Sequence, residues 1–237
     1  YRSTDFKTVA MTTGVAAAHV LVLVLSRDLG NALIFFLTYL FMLFVATGKW
    51  LYLGSGLAAG CAASVAAYRL FPHVQRRVAA WRDPWSDVAD TGYQIAQSLF
   101  AIGTGGWLGM GLGRGLPEKI PVVEEDFMIS AVAEELGGLF AICLILICLG
   151  CFLQFMMIAV RMQAMFYKLI AFGLGCEYIV QVLLTVGGAV KFIPLTGVTL
   201  PLVSYGGSSV AGTFILFSVI QGLYILKRNE EEEDEEK

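Results

Sequence analysis

The sequence predicts an all-α, polytopic membrane bundle, and three observations carry that prediction. Of 237 residues, 57% are hydrophobic and only 15% charged, whereas soluble domains carry about 25% charged residues. The apolar residues gather into runs of roughly 17–25, the length a helix needs to cross about 30 Å of hydrocarbon. Those runs are apolar on all sides, whereas barrel strands alternate over about ten residues.

Six segments have this character: Thr8 to Leu25, Ala32 to Thr47, Leu51 to Phe71, Gly138 to Val160, Leu169 to Val190 and Leu202 to Leu226. Ahead of the first lies the polar stretch YRSTDFK. It opens on Tyr1 with no signal-peptide pattern, so the chain reads as beginning within a longer protein. Between the first two segments, Asp28 in RDLGNAL is placed to cap the second helix. His19, and Glu177 with Gln181 one turn beyond it, sit mid-segment, where interhelical hydrogen bonds are expected rather than a proton relay. Cys61, Cys143, Cys148, Cys151 and Cys176 all fall inside apolar runs and are expected to pack as free thiols. The CxxC at Cys148 and Cys151 has no basic neighbour to lower a thiol pKa.

Lys and Arg in short loops set orientation. Arg2, Lys7, Lys49, Arg161, Lys168, Lys227 and Arg228 gather on one side, against Arg27 and Lys191 on the other. Both ends are therefore expected in the cytoplasm, with the stretch from Pro72 to Gly137 outside. The last eight residues hold seven of the nineteen acids, and the rest of the chain is slightly basic, 15 residues against 12. That balance offers no basic stripe for nucleic acid. The like-charged tail, residues 229–237, is expected to be disordered and cytoplasmic.

The bundle thus runs over 1–228, with an outer loop at about 72–137 and a second outer segment at about 191–209. In the first loop, Pro84 with Asp83 and Asp87 suggests a turn. Tyr93, Ile95, Ala96, Leu99 and Phe100 suggest a short amphipathic helix lying on the membrane or the bundle. Gly103 to Gly115 holds seven glycines in thirteen residues. It matches neither GxGxxG nor a P-loop, and it permits close backbone approach to a helix, a phosphate or a sugar. Arg114 and Lys119 are candidates to neutralise a phosphate, against plain solvation.

The acids Glu118, Glu124, Glu125, Asp126, Glu134 and Glu135 follow. A helix beginning near Asp126 would stack Asp126, Ser130 and Glu134 on one face, with Glu135 pointing away. Asp126 has two readings. It is an anion favoured by the helix dipole, or a crowded carboxylate whose raised pKa suits a general base. In KFIPLTGVTLPLVSYGGSS, Pro194 and Pro201 interrupt the apolar run, and such backbone at membrane depth must lie within protein or line a wet cavity. Its Ser204, Tyr205, Gly206, Gly207 and Ser208 offer hydroxyls beside small residues, for a ligand or for helix packing. Both outer segments open on one face and are expected to build one site. No GxSxG, HExxH or zinc spacing occurs.

Three stretches, DPWSD…GYQIAQSLFAIGTGGWLGMGLGRG, IPVVEEDFMISAVAEELG and PLTGVTLPLVSYGGSS, come in this order after the DLG at Asp28 to Gly30. Together they resemble the SEDS family (shape, elongation, division and sporulation) over about residues 26–228. Each piece alone is weak; the ordered set is highly specific. Members usually have ten membrane helices, so the chain is similar to the C-terminal six and is expected to be inactive without the others.

The resemblance implies a peptidoglycan glycosyltransferase of the bacterial cytoplasmic membrane. It would polymerise lipid II outside the membrane for elongation, division or sporulation. It implies Asp126, in the family's xDF motif, as the catalytic carboxylate and general base, with Glu118 as the acid eight residues upstream. Arg114 and Lys119 would hold pyrophosphate. Glu134, Ser130, Ser204, Tyr205, Gly206, Gly207 and Ser208 would line the substrate. The implied cofactor is a divalent cation, Mg or Mn, with no organic cofactor. The implied partners are undecaprenyl-linked lipid II, a class B penicillin-binding protein transpeptidase and membrane lipid, with no nucleic acid. Where many members read LPExxTDF, this chain reads IPVVEEDF, with Val122 for Glu and Glu125 for Thr. Competing readings are a flippase for the lipid-linked precursor and a scaffold that recruits the transpeptidase.

Overall fold

The computed structural model describes residues 6–90 and 92–235. Arg2 of the basic side and the last two residues of the acidic tail lie outside them. Among the described residues the protein is all-α: α1 Phe6–Leu25, α2 Leu29–Thr47, α3 Trp50–Leu70, α4 Pro72–Arg82, α5 Tyr93–Gly105, α6 Val123–Asp126, α7 Met128–Leu136, α8 Gly138–Arg161, α9 Met165–Ala189 and α10 Gly207–Glu235. Six of these are long and apolar enough to cross a membrane: α1, α2, α3, α8, α9 and the Gly207–Asn229 part of α10. The protein is a multi-pass membrane bundle.

Helix ends follow local chemistry. Asp28 caps α2 by accepting from the Asn31 backbone at 3.1 Å and from its side-chain amide at 2.8 Å, so the helix starts at Leu29 rather than Ala32. The last span starts at Gly207, not Leu202. Pro201 and a left-handed Leu202 (φ 61°) hold 201–204 in a turn, with the Ser204 hydroxyl accepting from the Leu200 N–H. At the other end α10 continues to Glu235, where a disordered tail was expected. Glutamate is a good helix former, an existing helix propagates cheaply, and Arg228 pairs with Glu232 one turn on at 2.8 Å.

Two compact units make up the chain. One comprises Tyr1–Ala59, Cys151–Val180 and Gly212–Lys237. In it, Phe155, Tyr178 and Phe217 meet edge to face with centroids 5.2–5.8 Å apart. His19 stacks on Phe35 at 5.1 Å, in place of the expected interhelical hydrogen bond. Glu177 stands on an exposed face of α9. The five cysteines lie on α3, α8 and α9, none in a disulfide.

The other unit, Gly60–Gly150 with Gln181–Ala211, holds α4 to α7 and the broken segment after α9. Asp83 closes the expected turn at Pro84, accepting from the Trp85 N–H and the Ser86 hydroxyl. The expected amphipathic helix forms as α5, but its buried face is Ile95, Ala96, Ser98, Ala101 and Gly105. Phe100 turns outward onto Trp85 instead. α5 packs on α7 so closely that a Cβ at Gly105 would run into the Ala133 carbonyl.

Candidate active site

Five hydrogen bonds tie together this unit's stretch 72–137, the end of α9 and the broken segment after it. Ser98 of α5 donates to the Ala189 carbonyl at the end of α9 at 2.8 Å, and so accepts from the Ser130 hydroxyl of α7 at 2.6 Å. α4 reaches the broken segment twice: Trp81 donates to the Lys191 carbonyl at 3.2 Å, and Arg77 to the Thr196 carbonyl at 3.1 Å. The Tyr205 N–H meets the Glu124 carbonyl at 2.7 Å. These bonds hold the stretch 72–137 and the broken segment after α9 together. Three non-glycine residues flanking them, Val122, Lys191 and Leu202, sit at positive φ. Strain of this kind persists only where the surroundings over-determine it.

Asp126 ends the short helix α6, which starts after left-handed Val122. Phe127, fully buried with φ −121° and ψ 20°, breaks the chain before α7. The expected continuous helix from Asp126 is therefore interrupted: Asp126 belongs to α6, while Ser130 and Glu134, four residues apart, are both buried on α7. Ser130 faces Ser98 in the core. The N-cap of α7 is Phe127, which makes no side-chain hydrogen bond to the helix end.

Asp126 instead faces Gly197 of the broken segment. A Cβ at Gly197 would lie 3.9 Å from Asp126 Oδ2 and 3.4 Å from an Arg77 guanidinium nitrogen, and the φ of +75° there also demands glycine. Burial pushes the Asp126 carboxyl above its ordinary 3.8; Arg77 pulls the other way, and Glu125 adds to the rise. The hydroxyl of neighbouring Thr196 is buried without a hydrogen-bond partner among the described residues. An orphaned buried polar atom calls for an explanation, and a ligand beside Arg77 is one.

The other expected residues divide by place. Glu118 and Lys119 stand exposed on a 3₁₀ turn, and Arg114 is exposed in the glycine-rich loop. The charges acting on Asp126 are those of Arg77 and Glu125, not Glu118. Glu134 is buried and accepts from the Leu116 N–H at 3.2 Å; Glu135 accepts from Gly113 at 3.1 Å. Both carboxylates hold the glycine-rich loop. Glu124, Met128, Tyr205, Gly206, Gly207 and Val210 line a groove of about 560 Å³. Ser208 is exposed at the start of α10, and Gln181 donates to the Thr199 carbonyl at 2.9 Å.

Arg77 was missed by sequence reasoning. The stretch HVQRR gave no sign which arginine would turn inward, because its partner lies 119 residues away.

Comparison with known proteins adds to this geometry. A family profile for cell cycle proteins, FtsW/RodA/SpoVE, matches residues 1–229. A peptidoglycan glycosyltransferase RodA of Mycobacterium tuberculosis is 38% identical over 199 residues, covering 84% of this chain and 42% of that protein. A probable peptidoglycan glycosyltransferase FtsW of Aliivibrio salmonicida is 37% identical over 211 residues, covering 86% and 51%. A chain from a solved peptidoglycan synthase complex, described as coordinating polymerization and crosslinking, superposes with a TM-score of 0.70 at 27% identity. That match covers 90% of this chain and 60% of the other. The chain thus spans about half the length of the curated relatives it matches.

Proposed function

Because the chain belongs to the FtsW, RodA and SpoVE family of cell cycle proteins, we propose that the protein is a peptidoglycan glycosyltransferase that polymerises lipid II, with Asp126 as general base. The carrying observation is a carboxyl with a raised pKa, set beside an arginine and a left-handed glycine of the broken segment. Relatives named glycosyltransferases support the reaction class.

In this reading the Asp126 carboxylate takes the proton of the acceptor sugar's hydroxyl. The freed oxygen pair forms the new bond to the donor's anomeric carbon. The bond from that carbon to the pyrophosphate oxygen breaks, its electrons leave with undecaprenyl pyrophosphate, and the configuration inverts. A raised carboxyl pKa improves the driving force for proton uptake near neutrality.

Arg77 has one N–H spent on the Thr196 carbonyl. A guanidinium carries five donors, so it keeps others for the departing diphosphate, whose charge is the largest to be stabilised. Arg114, Lys119 and Glu118, all solvent-facing, would meet the substrate earlier, at the approach. Tyr205, Gly206 and Gly207 line the groove that would take part of the substrate.

Among the described residues, no group of three or more His, Cys, Asp or Glu converges to hold a metal ion. A divalent cation, Mg or Mn, would thus arrive on the diphosphate, as magnesium commonly does with one or two carboxylates at most. No step above runs through it.

A class B penicillin-binding protein is the proposed partner, because the solved neighbour comes from a complex that both polymerises and crosslinks. The site would face outward, where both substrate and partner work. An Asp126→Asn variant of the intact protein tests the reading. It should still bind the partner and lipid II while making no glycan. Continued polymerisation would remove Asp126 from the mechanism, and loss of partner binding would point to a scaffold role.

A further inference from the structure

The glycine-rich loop exposes apolar side chains in a way the proposed chemistry does not use. Trp107, Leu108 and Leu112 are 68%, 83% and 79% exposed, and Met110 and Leu116 are also exposed. From Leu108 to Gly113, apolar residues alternate with glycines. Gly109 (φ +78°) faces the protein, where a Cβ would run into the Glu135 carbonyl; a Cβ at Gly111 would meet only the Arg114 side chain, and Gly113 faces open space. The apolar members are left pointing away.

Six backbone donors of this loop are satisfied. Met110 and Gly111 donate to the Glu134 and Glu135 carbonyls at 2.9 and 3.0 Å, Gly109 to the Gly105 carbonyl at the end of α5 at 2.8 Å, and Arg114 to the Gly111 carbonyl at 3.0 Å. Gly113 and Leu116 donate to the two glutamate side chains. Irregular backbone cannot enter an apolar medium with free N–H groups, because each costs several kcal/mol. Here the six donors named are occupied by the protein itself.

The loop is also fixed at a definite depth. Gly138 and Leu139, the first two residues of α8, donate to the Gly106 and Trp107 carbonyls at 2.8 and 3.2 Å. A Cβ at Gly138 would touch the Trp107 ring at 4.0 Å. α8 has 24 residues, about 36 Å at 1.5 Å per residue, slightly more than the roughly 30 Å hydrocarbon core. Its first turn therefore lies at the boundary between hydrocarbon and headgroups. Leu139 and Phe140 of that turn are half exposed as well. Tryptophan favours this boundary, and the exposed Arg114 within the loop and Lys119 just beyond it supply positive charge for lipid phosphates.

We propose that the loop from Trp107 to Leu116 is a membrane-interface anchor. Its apolar side chains seat in the lipid beside the start of α8, while Glu134 and Glu135 hold its backbone. The occupant is bilayer lipid, continuous with the lipid around α8. The inference stands whatever reaction Asp126 performs.

Bromolipid quenching tests it. The protein in nanodiscs of phosphatidylethanolamine and phosphatidylglycerol is compared with Trp107→Phe, so that the difference in emission belongs to Trp107. Lipids brominated near the headgroup end of the acyl chain should quench that difference strongly, and aqueous acrylamide should quench it little. Quenching by acrylamide with none by bromolipid would put the loop in water and overturn the proposal. Shielding from both would mean that another part of the protein, or a second copy, covers it, and would overturn it equally. A Trp107→Phe/Leu112→Trp chain repeats the measurement from the far side of the loop, should Trp107 prove untypical.

Discussion

Burial around Asp126 raises its pKa above 3.8, and the Arg77 guanidinium acts in the opposite direction. The sign has a consequence for stability. A carboxyl whose folded pKa exceeds its unfolded one destabilises the fold above the folded pKa. That cost is relieved as pH falls through the folded value towards 3.8. Asp126→Asn should therefore melt at the same or a higher temperature than the parent at neutral pH in detergent; a clear drop would mean the carboxylate is a structural asset. Arg77→Gln removes the one opposing influence, so the acid limb of the activity profile should move to higher pH. Arg77→Lys, which keeps the charge, should bring the limb back. An unmoved limb in both variants would show that Arg77 does not act on Asp126. None of this pairing was legible in the sequence. Asp126 stood out by its setting among acids, but Arg77 is brought to it by the broken segment's Thr196 and Gly197, and such long-range closure leaves no local spacing to read.

At the scale of elements, α5, α7 and the end of α9 are pinned together by Ser98, which has no exposed surface. Its hydroxyl serves both Ser130 and the Ala189 carbonyl. Ser98→Ala leaves both groups short of a partner and should cost about 1–3 kcal/mol. Ser130→Ala, which leaves the Ala189 bond intact, should cost less. Equal costs, measured by denaturation in detergent, would contradict this division. The existence of α5 and α7 was legible from apolar spacing. The break between α6 and α7 was not, because EEDFMISAVAEEL satisfies helical periodicity throughout. The burial of Phe127 against its surroundings decides the matter, and periodicity carries no information about it. Nor does periodicity show that Phe100 turns outward onto Trp85.

For the whole molecule, the six spans were legible because run length is a local property and hydrocarbon thickness is fixed. Their ends moved where capping or turn chemistry intervened, at Asp28 and at Leu202. The charge bias of the short loops predicts orientation. Cysteine introduced at Ser86 should react with a membrane-impermeant maleimide in whole cells, and cysteine introduced at Lys168 should react only after permeabilisation. The reverse pattern would turn the protein over and bar the site from an outward-facing substrate.

The central claim is that one carboxylate moves the proton in glycan synthesis. Its most direct test is to give purified lipid II to the intact protein and to its Asp126→Asn variant, each with the transpeptidase partner, and to resolve the glycan by length. The parent should make polymer and the variant at least about 10²-fold less, the low end for removing a general base. Polymer made at a comparable rate by both would contradict it.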